Sequence, residues 1–361
     1  SAVACRAAFC TVLSTLFVVG GDQPPVMAAR ILGAVLGTVV VLGVGCLAWK
    51  LFDERAGLIA ALLCALYPGA IAMSILVLSE ALFCPLMIAH LLCWTVAARS
   101  ESNLRTLSWA ALGGMAAGLA VLTRPSWLPF APLAILFAIA LFPPRRKQLR
   151  IGIAMLVALM VTMSPWWIRN AVVLKAFVPT TTQVGASLYD GLHPRATGAS
   201  DMAFVPRSTK ELQASDAWQG QKASVPLEVA LNRHFAQRAI QFAREYPATV
   251  GKLAIVKFLR MWNIWPNEAS LRSWPLRLFV AIGYVPIIVA SLFGAWKFAR
   301  RDWPYALCLM PAGYFTLLHM VFVGSIRYRQ PPMLVLIVLA AGWLATLLFK
   351  SEPTSAAESH A

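Results

Sequence analysis

A few charged side chains stand where charge is costly, at the ends of long apolar runs, and each must there find a partner or a wet cavity. Glu80 lies in Leu78-Ser79-Glu80-Ala81-Leu82, soon after Tyr67-Pro68. Arg124, in Leu122-Thr123-Arg124-Pro125, closes another run. Arg169 and Asn170 follow Pro165-Trp166-Trp167-Ile168, and Arg327, Tyr328 and Arg329 stand in Ser325-Ile326-Arg327-Tyr328-Arg329-Gln330-Pro331. One carboxylate and four arginines gathered on one side of a membrane suit an anionic substrate, because the guanidinium fork matches the oxygens of a phosphate. Interfacial snorkelling with ordinary Arg–Glu pairing is the alternative for each arginine taken singly. Other chemistries lack their signatures. The chain has no P-loop, no H-E-x-x-H, no G-x-S-x-G and no dinucleotide fingerprint. Its five histidines are scattered, and its seven cysteines lie in apolar runs without a C-x-x-C, so they read as small core residues and no metal-ligand set is visible.

The elements that must position these residues are membrane helices. Of the 361 residues 59% are hydrophobic and 13% charged, about half the charged share of a soluble domain. Nine apolar runs, 28–49, 56–78, 80–98, 107–123, 127–142, 150–168, 277–299, 303–323 and 332–349, predict transmembrane helices. The connections alternate in charge. Lys50, Arg55, Arg99, Arg105, Arg145, Arg146, Lys147, Arg150, Lys297, Arg300, Arg301 and Lys350 fall on one side, against Arg30, Arg124, Arg327 and Arg329 on the other. By the positive-inside rule the first set is cytoplasmic. The net charge of +16 therefore follows the membrane, and no nucleic-acid partner is expected.

The predicted fold class is an all-α, polytopic helical membrane protein of about nine transmembrane helices. It divides into N-terminal spans (1–168), an external loop region with amphipathic helices (169–276), C-terminal spans (277–349) and a cytoplasmic tail (350–361). Residues 3–19, apolar but short and carrying Arg6, predict a helix lying in the outer interface. In the external region 179–191 and 194–206 read as loop. From Leu227 the residues Leu231, Phe235, Ala239, Phe242 and Tyr246 recur about four apart until Pro247, which predicts a helix. Val250–Trp262, with Trp265 and Trp274 beyond, predicts a helix returning to the membrane surface.

Taken in order, Arg30 at the head of a span, Leu51-Phe52-x-x-Arg55-Ala56-Gly57, Tyr67-Pro68, Leu78-Ser79-Glu80, Gly118-Leu119-x-x-Leu122-Thr123-Arg124-Pro125, Pro165-Trp166-x-x-Arg169-Asn170, Ser187-Leu188-Tyr189-x-Gly191, Ala196-Thr197-Gly198 and Arg327-Tyr328-Arg329-x-Pro331 resemble the landmarks of bacterial GT-C type glycosyltransferases. The resemblance is to the dolichyl-phosphate-mannose–protein mannosyltransferase-like group, which includes the lipid A aminoarabinose transferases. It implies a multi-pass enzyme of the bacterial inner membrane. Such an enzyme moves a sugar, with inversion, from a polyprenyl-phosphate donor to a lipid, glycan or protein acceptor on the external face. It further implies Arg124, Arg327, Arg329 and Arg169 on the donor phosphate, Tyr189, Gly191 and Tyr328 toward the acceptor, and Glu80 as an acidic site residue. The main catalytic carboxylate of the group lies in a first external loop, expected upstream of Ser1. The group admits a divalent metal. A transporter or flippase of an anionic lipid-linked sugar needs a similar vestibule, and a non-catalytic envelope-assembly scaffold is the other alternative.

Overall fold

The computed structural model describes residues 26–76, 78–215, 218, 226–266 and 273–349. The expected interfacial helix at 3–19, Cys5, Cys10 and the tail at 350–361 lie outside these. Among the described residues the elements are all helical. In order they are α1 (Val26–Leu51), α2 (Glu54–Leu66), α3 (Pro68–Ile75), α4 (Ser79–Arg99), α5 (Asn103–Thr123), a 3-10 turn (Pro125–Trp127), α6 (Phe130–Leu141), α7 (Arg145–Leu174), α8 (Val184–Gly191), α9 (Phe204–Gln213), α10 (Leu227–Glu245), α11 (Pro247–Trp262), α12 (Trp274–Phe298), α13 (Trp303–Val321), a second 3-10 turn (Ile326–Arg329) and α14 (Gln330–Leu348).

Seven of these helices are long and apolar enough to cross a membrane, and the bent pair α2–α3 makes an eighth if counted as one span. The chain is a multi-pass membrane protein. Two of the nine expected spans differ from expectation. The run 56–78 is broken by 59° between Leu66 and Pro68. Proline has no N–H to donate and pushes the preceding residue out of the helical region, and Tyr67 is indeed extended, at φ −69°, ψ 117°. The run 127–142 is a 3-10 turn followed by the 12-residue α6, which rises about 18 Å and so falls short of a hydrocarbon core of about 30 Å.

Helix α14 is the axis of the bundle. Every residue from Gln330 to Gly342 is buried, as expected of a helix apolar on all sides, and α1, α2, α12 and α13 pack around it. Small residues let neighbouring backbones close up. A Cβ on Gly114 of α5 would stand 2.2 Å from the Met155 carbonyl oxygen of α7, and one on Gly118 would meet Thr162 at 2.7 Å. The G-x-x-x-G spacing is thus used inside the bundle.

Contacts sort the helix ends into two faces. On one, the Arg99 guanidinium donates to the Lys50 and Leu51 carbonyls, and Lys147 Nζ donates to those of Ala98 and Ser100 at 2.6 and 2.7 Å. Tyr305 OH donates to Leu51 O at 2.7 Å. The basic connections share this face. The other carries the breaks around residues 67, 124 and 327, and the described residues of 175–266 dock there.

Two segments expected as loop, 179–191 and 194–206, contain α8 and the start of α9. Short helices with Gly, Ser and Asp carry little propensity of their own, and here tertiary packing supplies it. Gly185 N donates to Asn232 Oδ1 of α10 at 2.7 Å, while Tyr189, Phe204 and Phe235 form a ring cluster with centroids 5.1 to 5.7 Å apart. The expected helices α10 and α11 are present, and Pro247 opens α11 where it interrupts α10. Ile255, Phe258 and Leu259 leave an apolar face of α11 exposed, as suits a helix at the membrane surface.

Candidate functional site

Three backbone breaks deliver three charged side chains to one point. The kink at Pro68 turns α3 across the bundle end, so that α4 starts at Ser79 with Glu80 in its first turn, where the helix dipole favours a carboxylate. Pro125 holds Arg124 at φ −135°, ψ 101° and ends α5 there. Ser325 caps the turn that carries Arg327, its hydroxyl accepting from Arg327 N.

Glu80 is fully buried, and both its oxygens are taken. Arg327 grips it with two bonds of 2.6 Å, from Nε to Oε1 and from Nη2 to Oε2. Arg124 Nη1 reaches Oε1 at 3.2 Å, and Ser79 Oγ lies 3.3 Å from Oε2. Two guanidinium groups sharing one carboxylate leave a net positive charge at the cluster. The two arginines differ in access. Arg124 is buried among Phe83, Phe315 and Tyr328, with ring centroids 5.4 to 6.0 Å from Cζ, whereas the Arg327 side chain is 36% exposed. Arg327 is therefore the member of the cluster that offers N–H groups to a ligand.

The other candidates are placed elsewhere. Arg329 is buried, stacked over Tyr284 at 3.7 Å and bonded to the Asn263 carbonyl; it ties α11 to α12. Arg169 is exposed on α7, over Trp166 and bonded to Asn170 Oδ1 at 3.0 Å. Tyr189 belongs to the apolar cluster of the docked region, under Arg238. Gly191 marks a close approach, since a Cβ there would lie 2.5 Å from the Phe322 carbonyl oxygen. Tyr328 stacks on His319 at 3.9 Å, and His319 bonds Val323 O at 2.9 Å, as a structural histidine would. Among the described residues no three His, Cys, Asp or Glu side chains come together.

Two further groups support the Arg327 turn and carried no signal in the sequence. Tyr67 OH donates to Gln330 Oε1 at 2.6 Å, and Gln330 Nε2 to Ile326 O at 3.0 Å, which locks the α2–α3 break to the turn. On the other flank, Lys257 of α11 is fully buried and donates to Val321 O at 2.7 Å. Gly324 N donates to the carbonyl of Gly198, whose φ of +82° suits glycine. Burial pushes the Lys257 ammonium down to about 8, against the opposing pull of Asp190. In the unfolded chain the ammonium keeps its proton up to about 10.4, so between these values the unfolded state binds more protons and stability rises with pH. Protease resistance of the region 175–266 should therefore increase from pH 8 to pH 10, and Lys257→Met should flatten that rise. An unchanged slope in Lys257→Met would show that other groups cause it.

An apolar groove of about 390 Å³ opens beside the cluster between α1, α3, α4 and α14, lined among others by Gly33, Gly37, Ser74, Glu80, Cys84 and Leu334. Glu80 is the member of the cluster that lines it, and a groove that meets paired arginines through such a carboxylate can hold a ligand with an anionic head and an apolar chain.

Residues 3–168 match the family profile described as dolichyl-phosphate-mannose-protein mannosyltransferase. No curated protein sequence matches the chain. Among solved structures, the oligosaccharyltransferase AglB of Archaeoglobus fulgidus, in complex with an inhibitory peptide and a dolichol-phosphate, aligns over 94% of this chain and 41% of its own, at 16% identity and a TM-score of 0.57. The apo form of the Archaeoglobus fulgidus oligosaccharyltransferase aligns over 94% and 42%, at 15% identity and a TM-score of 0.57. The chain spans about two fifths of the length of these structures. Helix order, the family profile and the overlay together identify the GT-C type membrane fold.

Proposed function

We propose that this chain belongs to a membrane glycosyltransferase that takes a sugar from a polyprenyl-phosphate donor and passes it, with inversion, to a lipid, glycan or protein acceptor on the external face of a bacterial inner membrane. The observation that carries the reading is the half-open Arg327, held by Glu80 and backed by Arg124, where Glu80 itself lines an apolar groove. The AglB complex with dolichol-phosphate supports a lipid phosphate as the ligand class.

In this reading the groove takes the first isoprene units, and the donor phosphate meets Arg327. As the glycosidic bond breaks, the leaving phosphate gains negative charge, and a preorganised guanidinium stabilises that charge more than it stabilises the ground state. Glu80 acts by holding both arginines rather than by taking a proton, because both its oxygens are already engaged. The carboxylate that deprotonates the acceptor hydroxyl is then a different residue. Tyr189 and Gly191 position the docked region, and Arg329 anchors it.

The test uses the intact protein in liposomes holding a radiolabelled polyprenyl-phosphate sugar. Acceptor-dependent loss of label from the donor supports the enzyme. Movement of unaltered donor between leaflets, with no loss of sugar, would support a flippase instead. Sidedness is a separate expectation. A single Cys placed near Gly198, at the exposed Thr197, in a cysteine-free background should react with an impermeant reagent in intact cells, since the basic connections hold the opposite face inside. Reaction only after lysis would invert the topology.

A further inference from the structure

The face opposite the Glu80 cluster holds a second cleft, of about 380 Å³, where the C-terminal ends of α1 and α4 meet the start of α5. Lys50, Arg99 and Arg105 line it together with Thr95, Ser100 and Trp109. No acidic side chain is in the lining, and among the described residues none of the three cations forms an ion pair. The neighbouring carboxylates lie outside the lining: Asp53 is occupied as the cap of α2, accepting from Ala56 N at 2.7 Å, and Glu101, which follows Ser100, is exposed and forms no ion pair among the described residues. Three like charges around one hollow repel each other unless an anion lies between them. The Glu80 cluster solves the same difficulty with a carboxylate; this cleft has none.

A second observation points the same way. Thr95 is fully buried in the lining, and its hydroxyl has no hydrogen-bond partner, although such groups are nearly always satisfied. The walls also fix the depth. Trp109 is partly exposed at the rim, and Trp49 lies under the Lys50 ammonium at 5.2 Å; indole rings mark the headgroup level of a bilayer. Arg99 is itself fastened, donating to the Lys50 and Leu51 carbonyls and lying over the Tyr305 ring at 5.4 Å. It is therefore a preorganised cation, while Lys50 and Arg105 are exposed and free to close on a ligand.

We propose that this cleft binds the phosphate of an anionic phospholipid from the leaflet on the basic face. Basic hollows between membrane helices on the cytoplasmic side suit such headgroups. The site differs from the positive-inside signal in general, which needs basic residues near the helix ends but neither a cleft nor a buried hydroxyl.

The test is lipid retention by the purified intact protein, read by native mass spectrometry with phosphatidylglycerol, with phosphatidylcholine, and with phosphatidylglycerol plus millimolar inorganic phosphate. Phosphatidylglycerol should be retained over phosphatidylcholine, and inorganic phosphate should displace it poorly. Lys50→Ala combined with Arg105→Ala should weaken retention by about thirtyfold, at roughly fivefold per surface cation. Thr95→Val should weaken it less, and Arg300→Ala with Arg301→Ala should leave it unchanged. Equal retention of both lipids would overturn the proposal. So would an equal loss in the Arg300/Arg301 pair, which would show a diffuse basic face. Full displacement by inorganic phosphate would give the cleft to a soluble anion and overturn the lipid assignment.

Discussion

Arg327→Ala should lower sugar transfer by about a hundredfold or more, the usual effect of removing one preorganised donor from a developing oxyanion, while the protein stays folded in the membrane. The geometry separates these two outcomes. Arg327 is the half-exposed member of the pair, so its removal lets water reach Glu80, which keeps Arg124 at 3.2 Å. Lysine at 327 should restore only part of the activity, because an ammonium cannot make both 2.6 Å contacts to Glu80 and still face a phosphate. The measurement is kcat and KM for the polyprenyl-phosphate sugar in liposomes, with abundance in the membrane alongside. Wild-type turnover in the alanine variant would reduce Arg327 to a structural partner of Glu80.

Glu80→Ala should do the reverse in emphasis and strike stability first. Glu80 is fully buried and Arg124 nearly so, and deleting one partner of such a pair leaves a charge without compensation, at a cost of about 3–5 kcal/mol. Glu80→Gln keeps the shape but offers one acceptor oxygen to two guanidinium groups, so it should retain part of the stability and still lose about tenfold or more in transfer as Arg327 drifts. Thermal unfolding in detergent, followed by tryptophan fluorescence, separates the cases. A Glu80→Ala protein that melts like wild type would mean that water already solvates the cluster. A Glu80→Gln protein with full activity would leave the arginines positioned without it.

The triad was legible in sequence because each member stands at the end of an apolar run that a proline interrupts or borders. Pro68 lies ahead of Glu80, Pro125 follows Arg124, and Pro331 closes the run after Arg327, and breaks at one bundle end collect there by topology alone. How the arginines share the work was not legible. Arg327 and Arg329 are two apart in a 3-10 turn of about three residues per turn, which points them to different sides. One therefore meets Glu80 and the other meets Tyr284. The nine apolar runs located the helices well, yet hydropathy could not say that Phe130–Leu141 is too short to span, because it is more apolar on average than the helices that do. Helices α8 and α9 escaped notice because their order comes from Asn232 and Phe235, some 30 to 50 positions away. Lys257 shares its buried line with Leu253 and Met261, a position where spacing alone predicts an apolar residue.

In the proposed function the Arg327–Glu80–Arg124 cluster recognises the phosphate of an isoprenoid lipid. The most direct measurement is binding of a short-chain isoprenyl phosphate to the purified intact protein, compared with the corresponding isoprenyl alcohol, in wild type and Arg327→Ala. Wild type should prefer the phosphate to the alcohol by about tenfold or more, the scale of one charge-assisted fork contact. Arg327→Ala should bring the two ligands close to equal by weakening the phosphate alone. Equal affinity for phosphate and alcohol in wild type, or an unchanged preference in Arg327→Ala, would contradict it.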